Sequence, residues 1–136
     1  MKFTTKVRYG MRAMVEIAKV DQKIGILQKD ISERQKISIK YLDHIIKSLK
    51  NAKLIANIKG KKSGYKITRS SSEITLFEIH SAFENEIAVI DCLRDCVSCE
   101  MEQTCLTFPF WTGLNNLVVE YFSNATLEDL VNKREF

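Results

Sequence analysis

The stretch from residue 28 to residue 68 restricts the fold of this chain more than any other. Residues 28–36 have the pattern of a short helix around the apolar Ile31, and Ser38 is a good N-cap for a further helix that runs to about Asn51. The apolar positions of that further helix recur at i, i+3, i+4 and i+7: Leu42, Ile45, Ile46 and Leu49. Two short helices joined by about three residues indicate a helix-turn-helix.

A basic β-hairpin is predicted directly after this helix pair. Two short strands, within residues 54–59 and 65–68, flank a tip that has a glycine at each end. Glycine readily adopts the positive φ that a tight hairpin needs. A basic hairpin in this place is typical of the wing of a winged helix, and an exposed hairpin without a partner is the alternative.

Charge is divided unequally along the chain. Residues 1–72 hold 18 Lys and Arg against 5 Asp and Glu, a net charge of +13, whereas residues 73–136 hold 3 against 12, a net charge of −9. A strongly basic surface attracts polyanions and releases their counterions on binding. The alternative is a lysine-rich face that is only solvated and binds no partner. We therefore predict a winged helix-turn-helix DNA-binding domain over residues 1–72 and a separate region over residues 73–136.

The candidate DNA contacts lie on the outer face of the second helix and on the hairpin. Lysine contacts mostly position a protein on phosphates, whereas Asp43 can accept a hydrogen bond from a cytosine amine in the major groove. The predicted contacts with double-stranded DNA are Ser38, Lys40, Tyr41, Asp43, His44 and Lys47 on the helix and Lys59, Gly60, Lys61 and Lys62 on the hairpin.

A cysteine cluster lies in the acidic region. All four cysteines of the chain fall between residues 92 and 105, as Cys92, Cys96, Cys99 and Cys105. Thiolates at this spacing suit an iron–sulfur cluster or zinc. Zinc fits less well, because structural zinc sites usually pair two cysteine knuckles across a longer spacer. A disulfide-based redox switch and four reduced cysteines without a metal are left open.

The C-terminal part predicts a long helix that begins at the only proline, Pro109, and ends at about Ser123. Its apolar stripe consists of Phe110, Leu114, Leu117, Val118, Tyr121 and Phe122. We predict that this stripe is a dimer interface, because a small domain does not easily cover so many large side chains; packing against the winged helix is the alternative. The expected fold is therefore mostly α, with a small hairpin wing and a long C-terminal dimerisation helix.

Several classes of protein are disfavoured. The chain has no apolar run of the roughly 18 residues that a membrane helix needs, and no signal peptide is evident, so a cytoplasmic protein without membrane contact is expected. An enzyme is not expected, since the sequence shows neither a nucleophile–base pair nor a phosphate-binding loop.

A set of motifs along nearly the whole chain resembles the Rrf2 family of bacterial winged-helix transcription regulators. That family includes sensors of iron–sulfur status and nitric oxide and a regulator of cysteine metabolism. The matching segments are MKFTTKVRYGMRA at residues 1–13, DISERQ at 30–35, ISIKYL at 37–42, KGKKSGY at 59–65, EITL at 73–76, DCL at 91–93, Cys99, Cys105, Trp111 and TLEDL at 126–130.

The resemblance implies a homodimer that binds a pseudo-palindromic operator and senses iron, redox or nitric oxide status. It further implies an iron–sulfur cluster in each subunit, of the 2Fe–2S or 4Fe–4S type, on Cys92, Cys99 and Cys105. Cys96 is additional to the family pattern and is a candidate fourth ligand. Some members use a histidine three residues after the third cysteine or a partner residue near position 8, and these positions here hold Phe108 and Arg8.

Two alternatives are left open. The first is a cluster-free regulator of the same fold that uses a thiol switch, zinc or a protein co-effector. The second is an iron–sulfur electron carrier, which the +13 charge and the helix-turn-helix of residues 1–72 disfavour.

Overall fold

The helices and the hairpin lie in the predicted order. The computed structural model describes residues 1–59, 63–95 and 97–136. The elements are α1 (Thr5–Lys19), α2 (Gln28–Gln35), α3 (Ile39–Asn51), β1 (Ile55–Asn57), β2 (Tyr65–Ile67), α4 (Leu76–Ser81), α5 (Phe108–Asn124) and α6 (Leu127–Val131). The prediction of a mostly helical fold with one small hairpin is confirmed.

Side-chain caps explain where most of the helices begin. The Thr4 hydroxyl accepts a hydrogen bond from the Val7 amide at 3.3 Å, and Ser38 accepts one from the Tyr41 amide at 3.2 Å. Thr75 and Thr126 each form a capping box with the acidic residue three positions later. Helix α2 differs, because Leu27 at its N-cap has no side chain that can accept a hydrogen bond.

The hairpin is joined to the α1–α2 connection as well as to itself. Strands β1 and β2 are antiparallel, with Ile55 opposite Ile67. Beyond them, the amides and carbonyls of Ile26 and Tyr65 exchange two hydrogen bonds, of 3.1 and 2.8 Å. Gly25 precedes this bridge with a φ of +73°, and a Cβ there would lie 2.8 Å from the Tyr65 carbonyl oxygen. Strand β2 is therefore fixed at its first residue to the segment between α1 and α2.

A hydrophobic core draws on both sides of residue 72. Its buried members from the first part include Met14, Ile17, Ile31, Leu42, Ile45 and Leu49, and those from the second part are Ile74, Leu76, Ile79, Ala125 and Leu127. The capped starts of α4 and α6 lie side by side, since the Leu76 amide donates to the Ala125 carbonyl at 2.9 Å and the Leu127 amide to the Ile74 carbonyl at 2.8 Å. The two regions that meet at residue 72 thus share one core, and their separate roles in DNA binding and in sensing stay a prediction.

Helix α5 divides its apolar side chains between two faces. Phe122 packs inward, with its ring centre 5.1 Å from that of Phe3 and 5.7 Å from that of His80. Four other side chains are exposed and form what we call the α5 apolar face: Phe110, Leu114, Leu117 and Tyr121. The exposed apolar stripe of α5 is therefore narrower than the predicted stripe, which included Phe122. No helix in the described ranges is long and apolar enough to cross a membrane.

Candidate nucleic-acid interface and cysteine loop

A tight turn sets the angle between α2 and α3. Lys36 ends α2 with a left-handed φ of 54°, and the Ile37 amide then donates to the Ser32 carbonyl at 3.2 Å. The Ser32 hydroxyl donates to the Ile37 carbonyl, so the two residues are tied in both directions. Ile37 itself is buried in the core. Because the turn is closed and anchored, α3 has a fixed orientation relative to α2.

A buried carboxylate fixes the end of α2 to α1. Glu16 is only 5% exposed, although it lies in the middle of the apolar stripe of α1. Its side chain accepts a hydrogen bond from Gln35 at 2.7 Å and pairs with Arg34 at 3.4 Å. Arg12 donates in turn to the side-chain oxygen of Gln35 at 2.9 Å. Sequence reasoning missed this network; the only signal was a charged residue between Val15 and Ile17.

Most of the DNA contacts that were predicted for α3 are exposed. Lys40, Asp43, His44 and Lys47 are exposed on the helix, and the Ser38 cap is exposed at its start. Tyr41 differs, because it is half-buried and its ring meets that of Tyr9 edge-on, with centres 5.6 Å apart. The predicted contacts at the start of α3 and along it are therefore exposed, except Tyr41, which packs toward α1.

The hairpin lies beside the C-terminal half of α3. The Lys50 ammonium stands 5.1 Å above the centre of the Tyr65 ring, a cation–π contact between α3 and β2. A groove of about 260 Å³ runs between these elements, and Gln28, Asp43, Ile46 and Lys47 line it together with Lys50 and Tyr65. Lys59 is exposed, and its amide donates to the Ser63 hydroxyl at 3.0 Å. Gly60, Lys61 and Lys62 lie outside the described residues.

The cysteine loop connects α4 to α5. Cys92 lies in a single 3-10 turn, Asp91–Leu93, and Cys105 lies three residues before α5. Cys92, Cys99 and Cys105 are half-buried and form no disulfide, whereas Cys96 is outside the described residues. Hydrogen bonds from the Thr107 hydroxyl, at 3.2 Å, and from backbone amides at the start of α5 lower the pKa of the Cys105 thiol.

The donor chemistry of the loop suits a soft metal centre, but its described part does not assemble a ligand set. Thiolates are the ligands that iron–sulfur clusters take. No group of three or more His, Cys, Asp or Glu side chains in the described residues is arranged to hold a metal ion. The three thiols are therefore of the chemical type that binds an iron–sulfur cluster, but their positions in the structure do not form a ligand set.

The start of the loop is tied to α5. The Val89 amide donates to the Asn115 side chain at 2.8 Å, and the Asp95 amide donates to Glu86 at 3.1 Å. Arg94 pairs with Asp91 at 3.2 Å across the 3-10 turn. A change in the conformation of the loop would thus bear on the helix that carries the α5 apolar face. No pattern in the sequence pointed to Asn115.

His80 is buried between the N-terminal segment and α5. It is 3% exposed, and Phe3 and Phe122 both meet its ring edge-on. Among the described side chains, its Nδ1 is one of two buried polar atoms without a hydrogen-bond partner. Burial lowers the pKa of His80, and the nearby Glu84 carboxylate opposes that shift. His44, by contrast, is exposed on α3.

Comparisons with known proteins agree with this geometry. The family model described as "Rrf2: Iron-dependent Transcriptional regulator" matches residues 3–133. The chain is 33% identical over 135 residues to the HTH-type transcriptional regulator IscR of Pectobacterium atrosepticum, a match that covers 99% of this chain and 82% of that protein.

Solved structures of similar proteins have the same fold. The oxidized form of CymR from Staphylococcus aureus is 29% identical, with a TM-score of 0.80 and coverage of 100% of both chains. IscR of T. potens is 27% identical, with a TM-score of 0.76, and the match covers 99% of this chain and 89% of that one. These similarities extend through the helix-turn-helix, the hairpin, the cysteine loop and α5.

Proposed function

Because this chain belongs to the Rrf2 family of transcriptional regulators, we propose that it binds double-stranded DNA as a homodimer, with α3 in the major groove. In this proposal residues 1–72 bind DNA, and residues 73–136 form the dimer contact and the sensor. The hairpin, with Lys59 and the tip at Gly60, Lys61 and Lys62, contacts the flanking minor groove and phosphates.

The observation that carries the proposal is the outer face of α3. Lys40, His44 and Lys47 are exposed together on a helix whose opposite face is buried in the core. The Ser38 cap and the closed α2–α3 turn hold that helix rigidly. A rigid, basic and solvent-facing helix of this length can enter the major groove, where its lysines contact phosphates and its polar side chains reach base edges.

The α5 apolar face supplies the second half of the proposal. Phe110, Leu114, Leu117 and Tyr121 are spaced by four, three and four residues, which is the spacing of a helix–helix seam. A two-fold axis at this face would use the same surface on both subunits and would place two copies of α3 on one duplex. Two-fold symmetry predicts an operator of two inverted half-sites, one or more helical turns apart.

Selection from a randomised duplex library tests this function. We expect the purified full-length protein to enrich an inverted repeat and to bind it as a dimer in a mobility-shift assay. A library that stays random after several rounds under anaerobic and aerobic conditions would contradict the proposal.

We further propose that Cys92, Cys99 and Cys105 bind an iron–sulfur cluster, with Cys96 as the candidate fourth ligand. Support comes from the thiol donors on one loop and from the IscR relatives. Anaerobically purified protein is then expected to be brown and to contain iron and acid-labile sulfide in comparable amounts. Colourless, iron-free protein that cannot be reconstituted would contradict this assignment.

Single cysteine variants identify the ligands. Cys92→Ala, Cys99→Ala and Cys105→Ala should each abolish the visible absorption, while Cys96→Ala abolishes it only if Cys96 is a ligand. Val97→Ala, an exposed substitution in the same loop, is the matched control and should retain iron and sulfide.

A cluster-free thiol sensor is the second candidate. It is favoured by the similarity to CymR, which has been solved in an oxidized form. Metal analysis and mass spectrometry of alkylated protein separate the two candidates, since a thiol sensor contains no iron and gains a disulfide or another oxidised cysteine on exposure to peroxide.

A further inference from the structure

Gln28 makes an unexpected contact with the outer face of α3. It is the first residue of α2, and its side-chain amide reaches α3. Its Nε2 amide donates to the Asp43 Oδ1 carboxylate oxygen and, at 3.3 Å, to the Ile39 carbonyl. Both hydrogens of the amide are thereby used on α3.

The contact fixes one oxygen of the Asp43 carboxylate and leaves the other available. In the described part of the chain no other hydrogen bond or ion pair to this carboxylate occurs. Asp43 is exposed, Gln28 is half-buried, and both side chains line the groove of about 260 Å³ beside the hairpin. The pair therefore lies on the surface that the proposed function brings against DNA.

A fixed carboxylate discriminates bases better than a mobile one. An aspartate oxygen in the major groove can accept a hydrogen bond from the exocyclic amine of cytosine. Nearby phosphates repel the same carboxylate, so an unrestrained side chain would turn away from the duplex or pair with Lys47. A donor that holds the side chain in one rotamer before binding lowers the entropy cost of the base contact.

We propose that Gln28, which lies outside the predicted set of DNA contacts, is a positioning residue that orients Asp43 toward a cytosine in each half-site. This inference rests on the proposed DNA binding. It assigns part of the sequence specificity to a residue of α2 that contacts Asp43 and the backbone of α3.

A double-mutant cycle read out as base preference tests the assignment. The variants are Gln28→Met, which keeps the length of the side chain and removes the donor, Asp43→Ala, and the two combined. Each variant is used in selection from a randomised duplex library, followed by competition binding to duplexes that differ at one base pair. Asn116→Met, which also replaces an amide side chain by a thioether, at an exposed position of α5 away from the DNA contacts, is the control.

Asp43→Ala should reduce the preference for cytosine at one base pair of each half-site by about tenfold. Gln28→Met should reduce the preference at the same base pair by about three- to fivefold, and should add nothing in the Asp43→Ala background. Gln28→Met should match the control in thermal midpoint, in salt dependence of binding and in base preference at the other positions of the site. A general structural defect would change these properties as well.

The result distinguishes the inference from the function on which it rests. If the wild-type protein selects a motif and Gln28→Met leaves every base preference unchanged, or changes it equally with and without Asp43, the positioning role is wrong while DNA binding stands. If the wild-type protein selects no motif, the proposed function fails first.

Discussion

The α5 apolar face leads to a quantitative prediction for dimer formation. Leu117 lies near the middle of this face and is 64% exposed. Complete burial of a leucine side chain is worth about 1.5–3 kcal/mol, so covering this one contributes about 1–2 kcal/mol per subunit. A two-fold interface contains the residue twice, which raises the contribution to about 2–4 kcal/mol per dimer.

Leu117→Asp removes this contribution and also places two carboxylates in the interface. From the lost burial alone, the dimer dissociation constant should rise by about 30- to 1,000-fold. Desolvation of the carboxylates adds to the loss. Sedimentation equilibrium over a series of protein concentrations measures the constant directly. DNA affinity should fall in parallel, because each half-site then has to bind a separate subunit.

Asn116→Asp is the matched control for this substitution. It introduces the same charge one residue earlier on α5, at an exposed position away from the apolar face. The control should dissociate like the wild-type protein, and both variants should keep the wild-type circular dichroism spectrum. A Leu117→Asp protein that is folded and dimerises with the wild-type constant would refute the assignment of this face.

Two further predictions concern stability. Burial lowers the pKa of His80 below its ordinary value of 6.5. The unfolded chain therefore takes up a proton first as the pH falls, and the stability that is present above about pH 6.5 is lost toward the lower folded pKa. His80→Phe should flatten this loss in urea unfolding between about pH 7 and pH 5, and equal losses in both proteins would contradict the reasoning. Lys53 has a φ of 59°, a backbone conformation that costs a residue with a side chain about 1–2 kcal/mol. Lys53→Gly should therefore be more stable than Lys53→Ala by about 1 kcal/mol in thermal melts. Equal thermal midpoints of the two variants would contradict the argument.

The sequence was most informative where local signals and hydrophobic periodicity agree. Ser38 predicted the start of α3, and its side chain accepts the expected capping hydrogen bond. The apolar period of α3 likewise predicted its buried face. These features depend on residues within one or two helical turns of each other, so they can be predicted from the sequence alone.

Features that depend on contacts between distant segments were not predictable in this way. The bridge between Ile26 and Tyr65, and the hydrogen bonds of Glu16 with Gln35, join residues that are far apart in sequence. Helix α5 has apolar residues on two faces, and both sets recur at helical spacing. The sequence pattern therefore did not reveal that Phe122 packs inward. The contact of Gln28 with Asp43 likewise has no signal in either helix alone.

The candidate site was predictable in part. The exposure of Lys40, His44 and Lys47 follows from the buried face of α3, since a helix that buries one side must expose the other. Tyr41 could not be placed in the same way, because its position against Tyr9 depends on how α1 crosses α3. The cysteine ligands stay a prediction.

The salt dependence of DNA binding tests the role of α3 most directly. The affinity of the full-length protein for its selected duplex is measured against salt concentration for the wild-type protein, for Lys47→Ala and for Lys133→Ala, a control at an exposed position in the C-terminal part. The wild-type slope on a log–log plot should be strongly negative. Lys47→Ala should reduce its magnitude by about 2, because a dimer loses two phosphate contacts, whereas Lys133→Ala should leave it unchanged. Equal slopes for Lys47→Ala and the wild-type protein would contradict the placement of α3 against the duplex.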